Sequence, residues 1–218
     1  MRKIKKILLL GDSISIGYRE FVKAAFSGVA EVVYPKENGR FAANLLRKLY
    51  DFKTELSLSE DVSLVHWNAG LWDDLILPDG KHQTSIERYE EDIERICITL
   101  KILFPNATCV FATSTPVLEE LYPERFEYYR RFNADTEAYN EEAKRVISRH
   151  GGGVDDLYAV MKAAPKDYHS DPTHFNTKWG TRLISEAVIS NIEKALGIKA
   201  EKLDFDTLWN EKIKNEGI

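Results

Sequence analysis

Five short runs rich in Val, Ile and Leu recur along the chain: KKILLLG (5–11), AEVVYP (30–35), VSLVHWNAG (62–70), ATCVFATST (107–115) and GVDDLYAV (153–160). Each reads as a strand, and longer amphipathic stretches separate them. In SIERYEEDIERICITLKILF, the residues Ile86, Tyr89, Ile93, Ile96, Ile98, Leu100 and Leu103 fall mostly at helical spacing, with Ser85 or Thr84 placed to cap the start and Pro105 to stop the helix. A last helix follows HFN, with Asn176 as its expected cap, Leu183, Ile184, Ala187, Val188, Ile192 and Ala195 as its inward stripe and Gly197 as its end. Strands that alternate with helices imply a parallel sheet, and continuous apolar strands fit a sheet covered on both faces. The expectation is one three-layer α/β domain over residues 1–218, with 202–218 as a C-terminal extension.

Two segments break the alternation. Residues 117–147 open as an irregular aromatic and charged stretch, long enough to overhang something, before becoming a helix. The tail carries Leu203, Phe205, Leu208, Trp209 and Ile213, which suit packing on the domain or on a second copy, so a homo-oligomer is an open expectation.

Composition closes several functional classes. A net charge of -5 over 218 residues argues against nucleic acid, whose phosphates draw clustered Lys and Arg. The opening MRKIKKILLL has too short an apolar run for a secretory signal, and no stretch approaches the roughly 18 apolar residues of a membrane helix. A cytoplasmic protein without a membrane partner is expected. Cys97 and Cys109 are the only cysteines, so neither a disulfide framework nor a CxxC metal pattern exists. His66, His82, His150 and His169 show no HExxH spacing, and no metal is expected.

In an open parallel sheet, ligands bind beyond the carboxyl ends of the strands. Gly11, Asp12 and Ser13 stand at such an end, where a helix begins. There Asp12 or Ser13 has the bland role of capping the helix, and Ser13 also has a chemical one, because a helix N-terminus favours a developing negative charge. Near the other end of the chain, Asp171 and His174 lie three residues apart in the polar turn SDPTHFN. A serine nucleophile needs an imidazole to take its proton, and the imidazole needs an acceptor to fix its tautomer.

Gly-Asp-Ser at the first strand end, with Asp-x-x-His before the last helix, resembles the GDSL, or SGNH, family of serine hydrolases over nearly the whole chain. The resemblance implies a flavodoxin-like three-layer α/β/α fold on a five-stranded parallel sheet, Ser13 as nucleophile, His174 as base, Asp171 as its orienter and no cofactor. It also implies an oxyanion hole from the amides of Ser13 and Gly39, the glycine of PKENGRFAANLL, together with an asparagine side chain. The family's third block, Gly-x-Asn-Asp, is here Gly70-Leu71-Trp72-Asp73, so Trp72 occupies the asparagine position. Asn68 is the replacement candidate and Asn38 the runner-up. Asn38, Trp72 and Asp12 are also candidates for touching substrate. Within the family, ENGR, NAGLWD, TSTPV and DPTHF look like members that remove acetyl groups from carbohydrates, which implies a small-molecule or carbohydrate ester. A lipid or thioester acyl hydrolase and a non-catalytic binding module are the rival readings.

Overall fold

The apolar runs do pair side by side. In the computed structural model, which describes residues 4–216, β1 (Lys5–Leu10), β2 (Ala30–Val33), β3 (Val62–Trp67), β4 (Thr108–Ala112) and β5 (Gly153–Asp155) form one parallel sheet in the order β2-β1-β3-β4-β5. Leu10 stands beside Trp67, and Ala112 beside Asp155, so four strand ends open on one rim.

Among the described residues eight α-helices surround the sheet: α1 (Ser13–Ala25), α2 (Ala42–Glu55), α3 (Ile86–Leu103), α4 (Tyr122–Arg125), α5 (Asn133–Arg149), α6 (Leu157–Lys162), α7 (Lys178–Leu196) and α8 (Phe205–Glu216). One face of the sheet buries Leu8, Val65, Trp67 and Phe111 against Leu45, Leu49 and Phe52 of α2, Ile93 and Ile96 of α3 and Val146 of α5. The other buries Ile7, Leu9 and Leu64 against Tyr18 and Val22 of α1, Met161 of α6 and Val188 and Ile192 of α7. Burying each such side chain contributes about 1.5–3 kcal/mol. This is the three-layer α/β/α arrangement expected from the pattern.

The run 153–160 does not stay extended. Its second half is α6, because Asp156 accepts a hydrogen bond from the Ala159 N–H and starts a helix. Asp155, at the end of β5, is buried, and its carboxylate lies 2.9 Å from His66 Nε2. The cap of α7 is Thr177, whose hydroxyl accepts from the Gly180 N–H, and not Asn176. The tail packs on its own domain, where Phe205 stacks on Phe21 with ring centroids 4.6 Å apart and Trp209 joins the stack. Among the described residues, no helix is long and apolar enough to cross a membrane.

Candidate active site

At the end of β1 the backbone turns into α1 because Asp12 caps it, its Oδ1 accepting from the Ile14 N–H at 2.9 Å. Ser13 is therefore the first helical residue, and among the described residues its own N–H has no acceptor. Gly11 is required here: a Cβ at this position would lie 1.8 Å from Asn68 Oδ1. Asp12 itself is fully buried, so the expectation that it touches substrate is corrected: it serves the helix. Burial pushes its carboxyl up, opposed by the Asn68 amide, the Ile14 N–H and the charges of His174 and Arg131.

Residues 161 apart in sequence meet at this point. His174 Nε2 lies 2.8 Å from Ser13 Oγ, and His174 Nδ1 lies 2.8 Å from Asp171 Oδ2. Asp171 Oδ1 also accepts from the N–H groups of Thr173 and His174. Burial alone would raise the Asp171 carboxyl, but these hydrogen bonds and the facing imidazole hold it well below the ordinary carboxylate range. Asp171 therefore stays ionised at neutral pH. The arrangement suits proton transfer from a hydroxyl to an imidazole steadied by a carboxylate.

The remaining expected groups gather less evenly. Gly39 reaches the nucleophile strand, and a Cβ there would lie 2.7 Å from the Gly11 carbonyl oxygen. Its N–H, however, donates to that carbonyl at 2.7 Å and is not free for an oxyanion. Asn68 is buried between Gly11 and Asp12, with its Oδ1 unpaired. Asn38 is half-buried; its Oδ1 accepts from the Arg40 N–H, which leaves its NH₂ group without a partner among the described residues. Trp72 is partly exposed on the turn after β3. The next residue, Asp73, reaches across to accept the Ala42 N–H with both oxygens and so caps α2, whose own N-cap, Phe41, has no side-chain acceptor.

Sequence reasoning missed Arg131, which is buried in the 117–132 segment and bonded there to the equally buried Tyr122 and to Asp74. Its residue type carried no motif; only the length and aromatic content of the insertion marked the segment. The cysteines play no comparable part: burial pushes the Cys97 thiol up to about 12 and Cys109 up to about 11, so neither offers a thiolate at neutral pH. Among the described residues, no group of three His, Cys, Asp or Glu side chains is placed to hold a metal ion.

Sheet order, layers and the position of Ser13 together define the SGNH hydrolase fold. A lipase/acylhydrolase from Enterococcus faecalis superposes with a TM-score of 0.69 at 18% identity, covering 92% of this chain and 100% of its own. The acetyl xylan esterase AlAXEase gives 0.66 at 16% identity over 86% and 99% of the two chains. Axe2, an acetylxylan esterase from Geobacillus stearothermophilus, gives 0.64 at 16% identity over 91% and 96%. No protein-family model and no curated protein matches the sequence.

Proposed function

We propose that this chain is a serine ester hydrolase that removes short acyl groups, acetyl above all, from a carbohydrate or similar small ester. The observation that carries the reading is the continuous Ser13–His174–Asp171 contact, with hydrogen-bond distances on both sides of the imidazole. Ser13 Oγ attacks the acyl carbon as His174 Nε2 takes its proton, and Asp171 stabilises the imidazolium. Collapse of the tetrahedral intermediate returns that proton to the leaving alkoxide, and water, activated by the same imidazole, releases the acyl group from Ser13. No cofactor enters these steps.

The oxyanion is held first by the Ser13 N–H at the positive end of α1. For the side-chain donor, the unpaired NH₂ of Asn38 supports that residue over the buried Asn68. Asn38→Ala is expected to lower kcat by about 10²- to 10³-fold with the fold intact, the usual effect of losing one such donor. Asn68→Ala is expected to act mainly by loosening Asp12 and to show first as a lower Tm. Kinetics and melting curves of the two variants separate these roles.

The acetyl and carbohydrate parts of the reading draw on the acetyl xylan esterases among the similar structures and on aromatic surface, partly exposed at Trp72 on the turn after β3 and exposed at Tyr128 and Tyr129 in the insertion. The Enterococcus lipase/acylhydrolase favours a second reading, a lipid acyl hydrolase. Comparing p-nitrophenyl acetate with longer acyl esters decides between them, since preference for the short chain supports the first. The experiment that tests the whole class is covalent labelling by a fluorophosphonate: the wild type should label at Ser13 and Ser13→Ala should not. A chain that resists the reagent is a binding module instead.

A further inference from the structure

The 117–132 insertion is fastened to the site at both of its ends. Near its start, the Leu118 N–H donates to the Pro172 carbonyl at 2.8 Å. At its far end, Arg130 and Ile76 exchange backbone hydrogen bonds, which fixes the insertion to the segment after β3. Between these anchors lies a buried polar chain. Arg131 Nε donates to the Leu71 carbonyl and to Asp74 Oδ1, and Arg131 Nη1 donates to the Tyr122 hydroxyl at 2.6 Å. Tyr122 OH lies 2.5 Å from Thr173 Oγ1, and the Thr173 N–H donates to Asp171 Oδ1 at 2.8 Å.

One direction in this chain follows from donor chemistry. A guanidinium only donates, so the Tyr122 oxygen accepts from Arg131, while between Tyr122 and Thr173 either hydroxyl serves as donor. The ring of Tyr122 is fully buried and Thr173 is 7% exposed, so a break would leave desolvated polar groups unpaired. Residues 171–173 lie outside any helix or strand. Outside the turn, Pro172 and Thr173 are both tied by hydrogen bonds to the insertion, at Leu118 and Tyr122.

We propose that Arg131 is a positioning residue of this site: through the Tyr122 hydroxyl and Thr173 it holds the Asp171–His174 turn against the Leu71–Asp74 turn and so sets the alignment of His174 on Ser13. The insertion is thereby part of the hydrolytic apparatus and more than an overhanging rim. The proposal rests on the reading of Ser13, His174 and Asp171 as a triad. Proton transfer is sensitive to such alignment, and a displacement of about 1 Å costs on the order of 10²-fold.

The test uses the full chain and two readouts that need no natural substrate: the rate of Ser13 labelling by a fluorophosphonate, and kcat and KM on p-nitrophenyl acetate. Tyr122→Phe and Thr173→Val are expected to slow labelling and kcat by about 10- to 100-fold with KM within about twofold. Thr173→Ser, which keeps the hydroxyl, is expected to stay near wild type. Because both variants break one shared bond, the double variant should be little worse than either single one. Thr173→Val leaves the tyrosine packing untouched and decides the matter if Tyr122→Phe does not fold. Variants that melt earlier but label at the wild-type rate overturn the proposal and leave the hydrolase reading standing. A wild type that never labels overturns both.

Discussion

Replacing His174 with alanine is expected to cut turnover of p-nitrophenyl acetate by on the order of 10⁴- to 10⁶-fold, because Ser13 loses its only facing base. The fold should survive: the imidazole is about a quarter exposed, and its bonds run to Ser13 and Asp171 rather than into the core. Asp171→Asn is the sharper experiment. An amide retains one oxygen for the Thr173 and His174 N–H groups, but its NH₂ faces His174 Nδ1 and favours the tautomer whose Nε2 carries a proton toward Ser13. That imidazole cannot accept the hydroxyl proton, and a loss of about 10⁴-fold is expected. Turnover within tenfold of wild type in His174→Ala, with circular dichroism showing a folded protein, would exclude the proposed chemistry.

Both ends of the proposed triad could be picked out because each motif stands where an apolar run meets a helix. Asp12 and Ser13 had to lie at a strand end once residues 5–10 were read as a strand, and the parallel sheet puts such ends on one rim. Side-chain direction was not legible. Asn68 follows its strand by one residue, yet it turns inward between Gly11 and Asp12, and nothing in Asn-Ala-Gly distinguishes inward from outward. Gly39 was expected to offer its N–H to an oxyanion, but whether that N–H faces a substrate or the Gly11 carbonyl depends on a backbone rotation that sequence does not encode locally. The second half of 153–160 misled for another reason: Leu157, Tyr158 and Val160 suit a strand as well as a helix, and the Asp156 cap decided. Arg131 and Tyr122 had no periodic signature, since their partners lie 60 and 51 residues away.

Asp73→Asn is expected to raise stability at neutral pH and to leave it unchanged near pH 4. Asp73 is fully buried, and burial pushes its carboxyl up to about 7, against hydrogen bonds from Thr84 and Ala42 and with the charges of Asp74 and Asp92 adding to the rise. Asp74, beside it, is raised to about 6, again chiefly by burial. An unfolded aspartate ionises near its ordinary value of 3.8. Between pH 4 and 7 the folded chain therefore binds more protons than the unfolded one, and stability must fall as pH rises through that window. For Asp73 alone the accumulated loss is a few kcal/mol at most, at about 1.4 kcal/mol per unit of pH. Asparagine is nearly the shape of the protonated acid and keeps an oxygen for the Ala42 N–H, but it never ionises. The Tm difference between variant and wild type should thus open from near zero at pH 4 to several degrees at pH 8, each kcal/mol being worth roughly 2–4 °C in a chain of this size. The opposite trend, with asparagine losing ground as pH rises, would mean that the carboxylate caps α2 in its charged form and that the helix dipole outweighs desolvation. The sign of that difference measures which force holds the turn after β3 to the start of α2, and with it the loop that brings Gly39 against the nucleophile strand.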